Sequence, residues 1–369
     1  MSVLNRGLPP LFFSAICHPG SATMKETMAK ADLKWGELPF DYIKTDCHLE
    51  YYYRDGKWDA GTVVEDDKIS ISLASTCLHY GQECFEGMKV YETKDGRALA
   101  FRPAENAKRM AHTADKILMQ CPSEELFVEG CDRTVKLNRR FIPPYGSGAA
   151  LYIRPLLIGT TGTVGIKPSR EYMFVVFVTP VGPYFRSGLK PVKIMVEEHV
   201  DRAAPEGLGD AKTGGNYAAG IRATWAAREK GFSEVLFLDA RTKRYVDESG
   251  SSNFFAITRD GTYVTPKSPS ILDSVTNKSL MELASDMGIK VERRPIEVTE
   301  LPNFVEAGLI GTATIITPVS AIQHGNKLIQ YGSPTEVGPV SRKLREALLE
   351  LQCGDAPDPH GWTHEIDLD

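Results

Sequence analysis

The segment "GDAKTGGNYAAG" (209–220) sets a single lysine, Lys212, behind an acidic, glycine-bearing loop and ahead of two glycines, Asn216 and Tyr217. An ε-amine that loses water among closely approaching backbone has its pKa lowered and becomes an amine nucleophile toward a carbonyl. Gly214 and Gly215 supply the compliant backbone that this chemistry needs, while a surface lysine in a turn is the alternative for the segment alone. Two other glycine-rich stretches, "GTTGTVG" (159–165) and "GLGDAK" (207–212), invite a nucleotide cradle. Neither completes one, because Lys212 stands where the third glycine of GxGxxG belongs and no GxxxxGK[ST] occurs in either. Seven scattered cysteines without a CxxC, and eight histidines without an HExxH, point to no metal site, no disulfide framework and a reducing, cytoplasmic compartment. His360 and His364, in "PHGWTHEIDLD", read as part of a solvated tail.

The elements that must position such residues come next. A chain of 369 residues, 42% hydrophobic, is long enough for two domains with real cores. Its net charge of −5 offers no basic stripe for a nucleic acid, and no apolar run approaches the roughly 18 to 20 residues of a membrane span. Residues 1–23 read as a disordered extension, with Met24 a candidate start. From about Asp41 to Val181 short β-type runs dominate, two of them with DG hairpin signals, interrupted by one amphipathic stretch, "PAENAKRMAHTADKIL", with Met110, Ala114, Ile117 and Leu118 at helical spacing. After about 191 strands alternate with longer helices, ending in "EVGPVSRKLREALLELQ". The predicted organisation is α/β (α+β): a smaller N-terminal domain at 24–180, an interdomain loop at 181–190, and a larger C-terminal domain at 191–369. Clefts between domains are favoured ligand sites.

"AKTGGNYA" resembles the K-x-G-G-N-Y segment of the branched-chain-amino-acid aminotransferases, which are fold-type IV pyridoxal phosphate enzymes. "LHYGQECFEGMKVY", "FRPAENAKRM", "LYIRPLLIG", "VGPYF", "VDESGSSNFF", "ILDSVTNKSL" and "GTATIITPV" follow the family's blocks in order, so that the resemblance covers most of the chain. It implies two domains with a cofactor cleft between them. It also implies that Lys212 carries pyridoxal 5'-phosphate as a Schiff base and moves the proton, a general base and acid in turn. Glu248 would pair with the ring nitrogen, although chemistry alone does not separate it from Asp247. Tyr217 would bond the ring oxygen, and Arg109 would clamp the phosphate together with the Val275 and Thr276 amides and the Thr312 hydroxyl. Asp273 and Asn277 stand where many relatives carry other residues.

For substrates, the resemblance assigns the α-carboxylate to Tyr152 and to the backbone of Thr312 and Ala313, and the distal carboxylate of glutamate to Arg154. Phe85, Tyr80 and Tyr184 would line the apolar pocket, with Val164 and Ile166 reaching in from a partner subunit; the alternation of Val164 and Ile166 also suits an edge strand. The implied reaction moves an amino group between leucine, isoleucine or valine and 2-oxoglutarate, giving branched-chain 2-oxo acids and L-glutamate in a homodimer. A D-amino-acid transaminase and an aminodeoxychorismate lyase are the same-fold alternatives.

Overall fold

The computed structural model describes residues 29–182 and 189–369. Among them are six α-helices: α1 (Thr76–Tyr80), α2 (Pro103–Lys116), α3 (Glu124–Leu137), α4 (Gly214–Glu229), α5 (Val275–Asp286) and α6 (Pro339–Gln352). They pack on two nine-stranded sheets.

The first sheet is antiparallel throughout, with Ala150–Gly159 and Tyr172–Val181 paired over ten residues at its centre. Leu49, Tyr51 and Phe174 on its inner face pack with Met110 and Ala114 of α2 and with Phe127, Cys131 and Val135 of α3. The expected α2 forms, but it stops at Lys116: Leu118 turns into the left-handed region at φ 51° and is 67% exposed. α3 was not anticipated, and the reason is visible in its middle. Gly130, a poor helix former, leaves room for the Tyr51 ring, which a Cβ there would meet at 3.2 Å.

The second sheet is mixed. Val192–Glu197 runs parallel to both Glu234–Leu238 and Ile315–His324, and the other pairings are antiparallel apart from Tyr263–Pro266 with Val291–Arg294. α5 and α6 cover it through Leu280, Leu283, Leu344 and Leu348, and α4 packs on Val235 and Phe237 through Ala223 and Ala227. The tail expected to be solvated instead returns to the first sheet. Thr363–Ile366 pairs with Ala98–Phe101, and Trp362 is 7% exposed. Alternation of buried Trp362 and Ile366 with polar neighbours is the signal that a short, charge-rich strand hides.

Candidate active site

The two halves meet at Lys212. Its backbone N–H donates to Thr113 Oγ1 of α2 at 3.0 Å, and its carbonyl accepts from the Phe85 N–H at 3.2 Å. Next to it, Asp210 pairs with His112 at 2.9 Å and with Lys116, both on α2. The loop is therefore strapped to the first domain rather than compliant. Gly214 is required for a different reason than freedom: a Cβ there would meet Glu83 Oε1 at 2.5 Å, and that carboxylate accepts the Gly214 N–H at the start of α4.

Part of the Lys212 side chain opens into a cavity of about 740 Å³ between the sheets, walled by Phe40, Phe85, Tyr152, Arg154 and the turn at Thr312 and Ala313. Its Nζ donates to the Tyr217 hydroxyl at 2.8 Å and lies 4.9 Å from the Phe85 ring centre. Burial, with the like charge of Arg109 next, pushes the amine down to about 8. The loss of hydration is the larger cause, as the sequence pattern required.

Glu248 lies within the strand Val246–Ser249, and side chains on a strand alternate in direction. That alternation separates it from Asp247. Glu248 Oε1 takes a 2.7 Å ion pair from Arg202 and the Leu272 N–H at 3.3 Å, while Oε2 accepts from Asn253 at 2.8 Å. Burial pushes its carboxyl up to about 7, against the pull of Arg202. It sits just behind the cavity, in a small void of about 20 Å³ shared with Tyr217, Asn253 and Leu272, three residues that also line the larger space.

Arg109 makes a forked, largely buried pair with Glu86, Nε to Oε1 at 2.8 Å and Nη2 to Oε2 at 2.7 Å, and its Nη1 donates to the Asp273 carbonyl at 3.1 Å. That last bond holds it against the start of α5, where Ser274 caps the Asn277 N–H. The Val275 and Thr276 amides at this end have no intrahelical carbonyl to reach. The Asp273 carboxylate turns away to Lys278 at 2.6 Å, and Asn277 faces Tyr263 and Thr265 instead of the cavity. Thr312 donates to the Gly87 carbonyl at 3.4 Å. The turn it belongs to runs into Ile315 at φ 63°, a conformation rarely seen for a β-branched residue.

Tyr152 and Arg154 project from one face of Ala150–Gly159. Arg154 lies 4.7 Å from the Phe85 ring centre and bonds Tyr152 Oη at 3.4 Å, and among the described residues no carboxylate is paired with it and its Nε has no partner. Gly87 makes room for Tyr152, whose Oη would lie 1.9 Å from a Cβ there.

Tyr80, Val164 and Ile166 are not part of this wall. Val164 and Ile166 occupy a loop, not an edge strand, at 93% and 88% exposure, and the Tyr80 hydroxyl donates to the Val164 carbonyl. Tyr184 lies outside the described residues. Sequence reasoning missed Glu86, Arg202, Asn253 and Phe40. Glu86 stood in the quoted "FEG" block and carried a signal, whereas Arg202 is placed behind Glu248 only by folding.

Against known proteins, the sequence model of the amino-transferase class IV family matches residues 83–322. The chain belongs to that family. It is 46% identical over 342 residues to the branched-chain-amino-acid aminotransferase of Haemophilus influenzae, covering 91% of this chain and 99% of that one. Among solved structures, the branched-chain amino acid aminotransferase from Escherichia coli superposes with a TM-score of 0.73 at 27% identity, covering 88% of this chain and all of that one. The T.th. enzyme of the same name, complexed with N-(5'-phosphopyridoxyl)-L-glutamate, gives 0.73 at 28% identity, again covering 88% and 100%. The class IV aminotransferase has the two-domain fold-type IV architecture that the block order implied.

Proposed function

We propose that this protein is a branched-chain-amino-acid transaminase that moves the amino group of leucine, isoleucine or valine to 2-oxoglutarate with pyridoxal phosphate as its cofactor. The observation that carries this reading is one cavity walled by a buried amine, Lys212, by a guanidinium with no carboxylate partner among the described residues, Arg154, and by the aromatic rings between them.

The residues fit the cofactor at each of its ends. Toward the carbonyl, Lys212 offers an amine that burial makes easier to deprotonate than an ordinary lysine. Toward the phosphate, three of the five Arg109 N–H groups are engaged, leaving two, and the Val275 and Thr276 amides add the positive end of a helix dipole. Toward the ring nitrogen, a carboxylate offers about four acceptor positions; three on Glu248 are taken, leaving one on Oε2. When bound, the cofactor supplies an electron sink for the pair left on the substrate α-carbon.

Lys212 Nζ would hold the cofactor at its carbonyl end and, with a substrate in place, would take the α-proton and return it as general base and acid. Tyr217 orients that amine. Arg202 opposes the pull of burial on Glu248, and Glu86 orients Arg109. Arg154 awaits the distal carboxylate of glutamate, while Phe85 and Phe40 give the aliphatic side chain an apolar wall. Both half-reactions use this one cavity, so the kinetics are ping-pong. Val164, Ile166 and the adjacent Tyr80 complete the pocket of a partner in a homodimer. Cytoplasm is the proposed compartment, in keeping with six free thiols among the described residues. No helix among those residues is long and apolar enough to cross a membrane, and no group of three or more potential metal ligands occurs.

Leucine added to the cofactor-loaded protein without an oxo-acid acceptor is expected to change its visible absorption and release one equivalent of 2-oxoisocaproate. No response to leucine together with a response to D-alanine would move the D-amino-acid transaminase ahead. Arg154→Ala is expected to slow the glutamate half-reaction at least about tenfold more than the leucine one, about the size of one lost charge-assisted bond. Equal losses in both would assign Arg154 to the α-carboxylate or to structure.

A further inference from the structure

The C-terminal tail does more than extend a sheet. Trp362 sits where the first domain hands over to α2 and where α5 passes alongside. Its carbonyl accepts the Arg102 N–H at 2.8 Å, at the residue that precedes α2. Its ring stands edge-on to Phe101 at 5.8 Å and belongs to the core that includes Val275, Leu280 and Leu283 of α5. The Arg102 guanidinium lies 4.7 Å from the indole centre and donates to Ser279 Oγ of α5 at 3.0 Å. His360 stacks on the indole at 4.1 Å and pairs with Asp286, the last residue of α5, at 2.7 Å.

Arg102, at the N-cap of α2, lies about two turns ahead of Arg109, and Ser279 lies one turn beyond Val275 on α5. The segment 358–366 thus holds the residue ahead of α2 through the Trp362 carbonyl, and α5 through the Trp362 core contacts and, at its far end, through His360 and Asp286, while Arg102 under the indole reaches Ser279 one turn from Val275. Other ties between them are thinner. The Lys278–Glu105 pair, at 3.3 Å, is partly exposed, and such pairs contribute little. The Arg109 bond to the Asp273 carbonyl is single.

We infer that the segment around Trp362 and His360 is a positioning element for the phosphate end of the cofactor, setting the separation between Arg109 and the N-terminus of α5. The inference rests on the reading of that end as the phosphate seat. It assigns no chemistry to the tail. What it predicts is selective: loosening the grip weakens binding of the phosphate and leaves the carbonyl end, held by Lys212, untouched.

The test compares pyridoxal phosphate with pyridoxal, which lacks the phosphate, by titrating each into cofactor-free protein and following absorbance. Wild type, Trp362→Ala and the milder His360→Ala are measured, the last standing alone if the tryptophan variant does not fold. The dissociation constant for pyridoxal phosphate is expected to rise roughly tenfold in Trp362→Ala and a few-fold in His360→Ala, with that for pyridoxal unchanged. An unchanged preference for the phosphate form in the folded variants overturns the role of the tail while leaving the phosphate seat standing. Equal weakening of both ligands also overturns it, since that reports general loosening. A wild type that binds both ligands alike removes the phosphate seat and this inference together.

Discussion

At the scale of single residues, the site is built from two groups pushed toward neutrality by the same cause. Burial brings Lys212 down to about 8 and Glu248 up to about 7, and each departs from its ordinary value by loss of hydration before any neighbour acts. For the cofactor-free protein the sign of the lysine effect is definite. Below about 8 the folded chain carries a buried ammonium; between about 8 and 10.5 the unfolded chain holds that proton more tightly, so stability rises with pH. Lys212→Met removes the buried charge. Its gain in thermal midpoint over wild type is expected to be largest at pH 7 and to shrink toward pH 10.5, as scanning calorimetry of the cofactor-free proteins would read. A gain independent of pH would mean that the folded amine titrates as it does in the unfolded chain, its ammonium solvated. Lys212 stood out through the glycines around it, and Tyr217 only through the K-x-G-G-N-Y resemblance. Arg202 was not legible, since nothing in "VDRAAPEG" says which strand will pass behind it.

Among the elements, helix ends decide more than helix bodies. α6 begins at Pro339 over a 7% exposed glutamate on the neighbouring strand Phe304–Gly311, and Glu306 accepts the Val340 N–H at 3.0 Å, the Ser341 N–H at 2.9 Å and the Ser341 hydroxyl at 2.6 Å. A carboxylate there answers free amides and the helix dipole at once. Glu306→Gln turns one acceptor into a donor facing donors, and is expected to lower unfolding free energy by roughly 1 to 3 kcal/mol in urea, with leucine turnover unchanged at low temperature. Turnover lost at full stability would tie α6 to the site instead. Periodicity made the body of α2 readable, because it buries one stripe in continuous sequence. This cap joins residues 34 apart, and α3 hides its pattern behind Gly130, so neither was legible. Glu248 was named only through the resemblance, because its strand is four residues long and chemistry alone did not separate it from Asp247.

For the whole molecule, one surface is too apolar to face water alone. Leu73 is 90% exposed, Leu78 60%, Val164 93% and Ile166 88%. Their segments are joined: Ser75 bridges Gly162, and the Thr163 N–H donates to the Ala74 carbonyl at 2.9 Å. A contiguous patch of this kind marks an interface, and a two-fold pairing of like patches is the commonest way to cover it. In the proposed homodimer the covered loop would also reach the neighbour's pocket, and assembly and substrate fit would then be a single property. Val164→Asp combined with Ile166→Asp places two charges in the covered area and should shift sedimentation equilibrium from dimer to monomer, while leucine turnover falls and the bound cofactor stays. A monomer with undiminished turnover would separate assembly from catalysis. A dimer that survives both charges would move the interface to the other apolar face left in the open, Ile221 and Trp225 of α4, each 62% exposed, and the loop at 159–166 would then have no part in the partner's pocket.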